Sequence, residues 1–260
     1  MFEAPLDLST ARILVSNDDG IDAPGLKLLE RVARRLSGDV WVVAPETEQS
    51  AASHSLTLRR PLRIRRLSRR RFAVDGTPTD SVLLAVQQIM KAHRPDLVLS
   101  GINRGGNLGE DVTYSGTIAA AMEATLLDVP GIALSQYISP DGPVRWGPAE
   151  RFAEQVIRTV TSVPWPKAVM VNVNFPDTKP SAVSGIRVCG QGRRKLGENL
   201  VERIDPRGEP YYWIGALREE ERSRRATDIA AIHEKAITVT PLHLDLTHAG
   251  MLKTLGAAFK

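Results

Sequence analysis

The chain has 260 residues, 42% of them hydrophobic and 25% charged, with a net charge of +4. That composition suits a globular protein with a sizeable core and excludes a bulk-disordered or collagen-like chain. The single cysteine, Cys189, excludes an intramolecular disulfide and fits a reducing compartment.

The N-terminal residues show no basic segment followed by an apolar one. No uncharged apolar run approaches the ~20 residues of a membrane span, so a cytoplasmic protein without membrane contact is expected. Ile13 to Ser16 reads as a buried strand that ends abruptly in Asn17-Asp18-Asp19-Gly20. An amphipathic helix follows from Leu26 to Leu36. Asp39 to Pro45 is a second buried strand, leading into a polar loop with Ser50 and His54. Eight arginines then fall between Arg59 and Arg71, interleaved with Leu62, Ile64 and Leu67. Two readings stand for that run: a polyanion-binding surface, or a strand with one solvated face.

Phe72 to Val74 predicts a short strand before a helix capped by Thr77 or Thr79, with Asp80 in its first turn. That helix runs to about Lys91. Asp96 to Ser100 is a further strand, ending in a glycine-rich loop that contains Asn103 and Asn107. Tyr114-Ser115-Gly116-Thr117 opens an apolar helix to about Leu127, and Pro130 to Ser135 is a strand. A helix from about Pro148 to Val163 and a strand from Ala168 to Asn174 complete the alternation. The pattern predicts a doubly wound parallel sheet with right-handed crossovers. From about residue 180 strand-like pieces replace long helices. We expect a core over 1–180. Over 181–260 we expect a β-rich oligomerisation arm and a last segment that packs back on the core. Cys189 falls at a strand position and reads as buried.

Three loops share the carboxyl edge of such a sheet, where ligands bind. Asp18 and Asp19 follow the first strand, Ser50 follows the second, and Asn103 follows the Asp96 strand. Asn-Asp-Asp-Gly is also an ordinary turn composition. Yet two adjacent carboxylates repel and call for compensation. With a hydroxyl and an amide they form an oxygen-only set suited to magnesium or manganese. The histidines are scattered, and only His54 lies near this edge. Exposed N–H groups at the helix start of Ser115, Gly116 and Thr117 suit an anion such as phosphate. There is no Gly-x-x-x-x-Gly-Lys-Ser/Thr loop and no Gly-x-Gly-x-x-Gly pattern, which argues against a P-loop nucleotidase and a nicotinamide cofactor.

Several stretches taken in order resemble the SurE family of survival-protein nucleotidases. They are Val15-Ser-Asn-Asp-Asp-Gly20, Ala44-Pro45 with Gln49-Ser50, Val74-Asp-Gly-Thr-Pro78, Ser100-Gly-Ile-Asn-Arg-Gly-Gly-Asn107 and Tyr114-Ser-Gly-Thr-Ile-Ala-Ala120. Val173-Asn-Phe-Pro176 and Thr238-Val-Thr-Pro-Leu242 also fit. The resemblance spans nearly the whole chain. It implies a Rossmann-like core, a homodimer or homotetramer, and a metal-dependent 5'(3')-nucleotidase acting on nucleoside monophosphates and, in some members, on polyphosphate. Asp18, Asp19, Ser50 and Asn103 match its ligands for one divalent ion per subunit. Asn107 and Ser115 to Thr117 match its phosphate-side region, and Asn17 is a further donor.

The expected chemistry is metal-activated water attack on the phosphoryl group, with Asp18 and Asp19 as the catalytic carboxylates. Two departures stand out: Ala51, where glycine commonly follows the loop serine, and Ile232-His-Glu-Lys-Ala-Ile237, where a Gly-Tyr-Val-Ser type sequence is usual. Two alternatives predict different behaviour. A nucleotide-dependent glycosyltransferase would need an acceptor. A regulatory protein that binds nucleotides or nucleic acid without hydrolysis would show steep salt dependence and indifference to Asp18→Asn. No specific nucleic acid is the expected partner.

Overall fold

In the computed structural model, which describes residues 2, 5–139, 142–196, 200–214, 218–220 and 226–259, the apolar runs pair into one nine-stranded sheet. β1 (Arg12–Ser16), α1 (Pro24–Leu36) and β2 (Asp39–Pro45) form the first unit. β3 (Ile64–Ser68) and β4 (Arg71–Val74) precede α2 (Pro78–Leu84), which continues as a π turn over Ala85–Ile89. β5 (Leu97–Arg104), α3 (Gly116–Leu126), β6 (Gly131–Gln136), α4 (Gly147–Thr161) and β7 (Val169–Phe175) complete the alternating part.

The parallel strands β1, β2, β4, β5, β6 and β7 lie side by side as β4-β2-β1-β5-β6-β7. This is the Rossmann order, which reverses between β1 and β5 and opens a crevice at their carboxyl ends. Helix α1 buries Leu26, Leu29, Val32 and Leu36 against one face of the sheet, beside Ala153 and Ile157 of α4. Val82 of α2 and Ala120 and Ala124 of α3 pack on the other face against Leu14, Val43 and Val98. Thr77, not Thr79, caps α2: its hydroxyl accepts from the Asp80 N–H while the Asp80 carboxylate accepts from the Thr77 N–H.

One crossover departs from the expected hand. The β5–α3–β6 and β6–α4–β7 connections step the same way across the sheet, yet α3 and α4 lie on opposite faces. They therefore have opposite hands, and β6–α4–β7 is the left-handed one. The right-handed rule reflects a twisted strand feeding directly into a helix. Here the long Tyr137–Trp146 segment intervenes. Ile118 and Ala121 of α3 already cover Ala133 and Met170 on the other face.

A second departure concerns β5. It continues past Ser100: after a bulge, Asn103 pairs with Ser135 and Arg104 with Gln136, so Asn103 lies on the strand rather than in the loop. Gly101, at φ +128, makes this possible, because any Cβ there would strike the Leu134 carbonyl.

The rest of the chain divides. β8 (Ile186–Val188) and β13 (Ile237–His243) join the main sheet beyond β7, with β13 antiparallel to β7. α5 (Asp228–His233) packs Ile229 and Ile232 on Leu108. β9 (Arg194–Leu196) pairs with β12 (Arg218–Glu220), and β10 (Leu200–Ile204) forms a hairpin with β11 (Pro210–Ile214) across an Asp205–Gly208 turn. α6 (Ala249–Ala258) ends the described chain, capped by His248. Residues 197–199, 215–217 and 221–225 of the predicted arm lie outside the described residues. Cys189 is buried just past β8, and burial pushes its thiol pKa up.

Candidate active site

The end of β1 is shaped by its own side chains. The Asn17 amide donates to the Gly20 carbonyl at 2.9 Å and closes the turn, with Gly20 at φ +97. That leaves the Asn17 Oδ1 buried with no partner among the described residues. Asp18 is buried. Its Oδ1 accepts from the Thr117 hydroxyl at 2.5 Å, and its carbonyl accepts from the Gln49 N–H at 2.8 Å. Asp19 is more open and accepts from the Arg104 N–H at 3.1 Å.

Among the described residues neither carboxylate has an ion pair. Burial pushes the Asp18 pKa up to about 6, against the opposing Thr117 bond, and the neighbouring Asp19 adds to the rise. Asp19 is raised too, by burial first, with the Arg104 amide opposing, Glu48 reinforcing and the Arg104 charge opposing least. A buried carboxylate without a cation is costly, so this pair is built for a positive charge.

The other predicted residues gather around it. Asp18, Ser50, Asn103, Asn107 and Ser115 line one cleft of about 330 Å³. Asp19 lines an adjoining cleft of about 600 Å³ that shares Ser50, Arg104 and Ile138 with the first. Ser50 donates to Glu48 at 2.7 Å. The Asn103 amide nitrogen is committed to the Gly105 carbonyl at 2.9 Å, which leaves Oδ1 as the group suited to a cation. Two carboxylates, a hydroxyl and an amide oxygen fit a hard divalent ion.

Ala51 takes φ +59, a left-handed conformation that glycine adopts without cost. That explains why glycine suits this position. The other departure, residues 232–237, closes α5 and opens β13; none of its side chains lines either cleft.

Ser115 caps α3 by accepting from the Ile118 N–H at 3.1 Å. Gly116 follows because a Cβ there would lie 2.8 Å from the Asp18 Cβ and 3.0 Å from its Oδ2. Thr117 spends its hydroxyl proton on Asp18. The Ile118 N–H is spent on Ser115 and the Thr117 N–H also favours the Asp18 carboxylate, so for a bound anion this helix start offers the Ser115 hydroxyl and the Gly116 N–H.

Sequence reasoning missed two sets of residues. Tyr114, Asp111 and Tyr137 also line the smaller cleft. Beneath Asn107 lie Ser135, Asn172 and Asn174, all fully buried. The signal for the last two was visible: polar residues at alternate positions of an otherwise apolar strand, Val-Asn-Val-Asn-Phe. His54, the one histidine flagged near this edge, instead bonds Glu123 of α3 at 2.9 Å and lines neither cleft.

A model of the family described as survival protein SurE matches residues 13–198. The chain belongs to the SurE family. A SurE relative from Paramagnetospirillum magneticum, called 5'-nucleotidase SurE, is 61% identical over 258 residues, covering 99% of each chain. A second, of the same name, from Rhodospirillum rubrum is 56% identical over 262 residues and covers both chains fully. The crystal structure of the SurE protein from Aquifex aeolicus superposes with a TM-score of 0.84 at 38% identity, covering 96% of this chain and 100% of that one.

Proposed function

We propose that this protein is a divalent-metal-dependent nucleotidase that hydrolyses nucleoside 5'- and 3'-monophosphates to nucleoside and phosphate. The observation that carries the reading is the buried Asp18 packed on the start of α3 beside Asp19, neither carboxylate in an ion pair among the described residues, in a chain whose relatives are called 5'-nucleotidase SurE. Asp18, Asp19, Ser50 and Asn103 would hold one magnesium or manganese ion. When bound, that ion neutralises charge on the phosphoryl group and acidifies water.

The chain's own groups do the rest. The Thr117 hydroxyl fixes the orientation of Asp18. Asp19, the more open carboxylate, orients the attacking water and accepts its proton. The Ser115 hydroxyl and the Gly116 N–H hold the phosphate, with Asn107 lining the same cleft. The macrodipole of α3 adds only about 0.3–1 kcal/mol, so hydrogen bonds and the ion carry most of the stabilisation a slow phosphate-ester cleavage demands. Terminal phosphates of polyphosphate present the same group and are a second substrate class.

A homodimer or homotetramer is part of this reading. The β10–β11 ribbon exposes Leu200, Ile204, Tyr212, Trp213 and Ile214, and α6 has no buried residue. A lone two-stranded ribbon is marginal in water, so another copy is the natural cover. The single buried cysteine supports a reducing, cytoplasmic setting. Five of the eight clustered arginines have acidic partners, which supports the solvated-strand reading over nucleic-acid binding.

The test is phosphate release from a panel of nucleoside 5'- and 3'-monophosphates with magnesium, manganese or excess EDTA, with Asp19→Asn beside wild type. Metal-dependent release lost in the variant is expected. Negligible release in every lane, or release indifferent to EDTA and to the variant, would overturn the reading.

A further inference from the structure

The carboxyl edge of the sheet holds a second constellation, on β6 and β7 away from the carboxylates. In the parallel register Ser135 of β6 pairs with Asn174 of β7, and Ala133 with Asn172. The apolar neighbours Leu134, Val171, Val173 and Phe175 point to the α1–α4 face. Ser135, Asn172 and Asn174 point to the other face, under the loop that follows β5. All three are fully buried, a costly place for two amides and a hydroxyl unless each is hydrogen-bonded.

Their bonds converge on one residue. The Asn107 N–H donates to the Asn174 Oδ1 at 2.8 Å. The Asn107 carbonyl accepts from the Asn172 amide at 2.8 Å and from the Asn174 amide at 3.1 Å. The Asn107 side-chain nitrogen donates to the Ser135 Oγ at 2.8 Å. Four bonds thus seize both backbone groups and the side chain of a loop residue that lines the Asp18 cleft. Burial of Asn107 already requires partners for its backbone groups, but it does not require that the side chain also be held in one place. A residue that must meet a ligand to within a fraction of an ångström does need it.

We infer that Asn174, Asn172 and Ser135 are positioning residues that hold Asn107 at the phosphate side of the active site. The inference rests on the nucleotidase reading above. Asn172 and Asn174 fix the Asn107 backbone and leave its amide one freedom, a half-turn. Ser135 suits both orientations, because a hydroxyl accepts from Nδ2 in one and donates to Oδ1 in the other. In the second, Nδ2 faces the cleft as a donor to a phosphate oxygen.

The test is steady-state hydrolysis of a nucleoside monophosphate by the full chain in its native assembly. The variants are Asn107→Ala, Asn174→Ala, Ser135→Ala, Ser135→Thr and the Asn107→Ala/Asn174→Ala double. Inhibition by inorganic phosphate and the melting temperature are read alongside. Asn174→Ala and Ser135→Ala should each lower kcat/KM about tenfold or more and weaken phosphate inhibition in parallel. Ser135→Thr, which keeps the hydroxyl, should recover most of the loss. The double variant should be no worse than Asn107→Ala alone.

Wild-type kinetics in Ser135→Ala and Asn174→Ala, losses that multiply with Asn107→Ala, or unchanged phosphate inhibition would overturn the inference while leaving the nucleotidase reading intact. A wild-type enzyme inactive on every monophosphate would overturn both. If Asn174→Ala does not fold, Ser135→Ala and Ser135→Thr decide the outcome.

Discussion

Two stretches of this chain concentrate charge, and they are built in opposite ways. The arginines from Arg59 to Arg71 are the denser cluster, yet five of them pair with Glu30, Asp39, Glu46 or Asp75 at 2.6–4.0 Å. The Arg63 amide, working against slight burial, and the Arg60 guanidinium hold the Asp75 carboxyl below its ordinary range. The Asp18–Asp19 pair is only two charges, and among the described residues no salt bridge answers it; the Arg104 charge opposes the rise only at Asp19, and burial drives Asp18 the opposite way. Charge that is answered on the surface is solvated scaffolding worth little individually. Charge that is buried and unanswered marks where something else must bind.

The contrast breaks most sharply at Gly116. In Gly116→Ala the new methyl would contact the Asp18 Cβ and Oδ2 and the Pro78 Cγ, all within 3.0 Å. Asp18 or the start of α3 must shift. Nucleotidase activity should fall about a hundredfold, the scale of a one-ångström misplacement, in a protein that still folds. Unchanged kcat/KM would show that Asp18 and α3 need not meet closely.

Much of this arrangement was legible before the structure. Period-two and period-3.6 patterns located the elements, and the polar ends of β1, β2 and β5 located the edge. What was not legible depends on contacts distant in sequence. The Thr117–Asp18 bond joins residues 99 apart. The bulge that keeps Asn103 on β5 follows from how closely Gly101 approaches Leu134. The left-handed β6–α4–β7 crossover depends on which face α3 already occupies. Asn172 and Asn174 broke the apolar pattern visibly, but nothing local named Asn107 as their partner.

The next effect is on stability. In EDTA, folded Asp18 titrates near 6, above its ordinary value of 3.8. Between those values the folded chain keeps a proton that the unfolded chain has lost, so stability falls as pH rises from about 4 to about 6 and then levels. The cost of ionising Asp18 in the fold is on the order of 2–3 kcal/mol. Urea unfolding of Asp18→Asn against wild type should lose that part of the slope, and a saturating divalent ion should offset the cost above pH 6. Parallel slopes in the two proteins would place the uncompensated charge elsewhere.

The most direct measurement is a calorimetric titration of manganese into the chelated protein, comparing wild type, Asp19→Asn and the Arg63→Ser/Arg65→Ser variant. We expect about one ion bound per chain in wild type, binding weakened by at least tenfold in Asp19→Asn, and an arginine variant indistinguishable from wild type. Absence of binding in wild type, or equal binding in Asp19→Asn, would contradict the claim that the buried carboxylate pair is built for a cation.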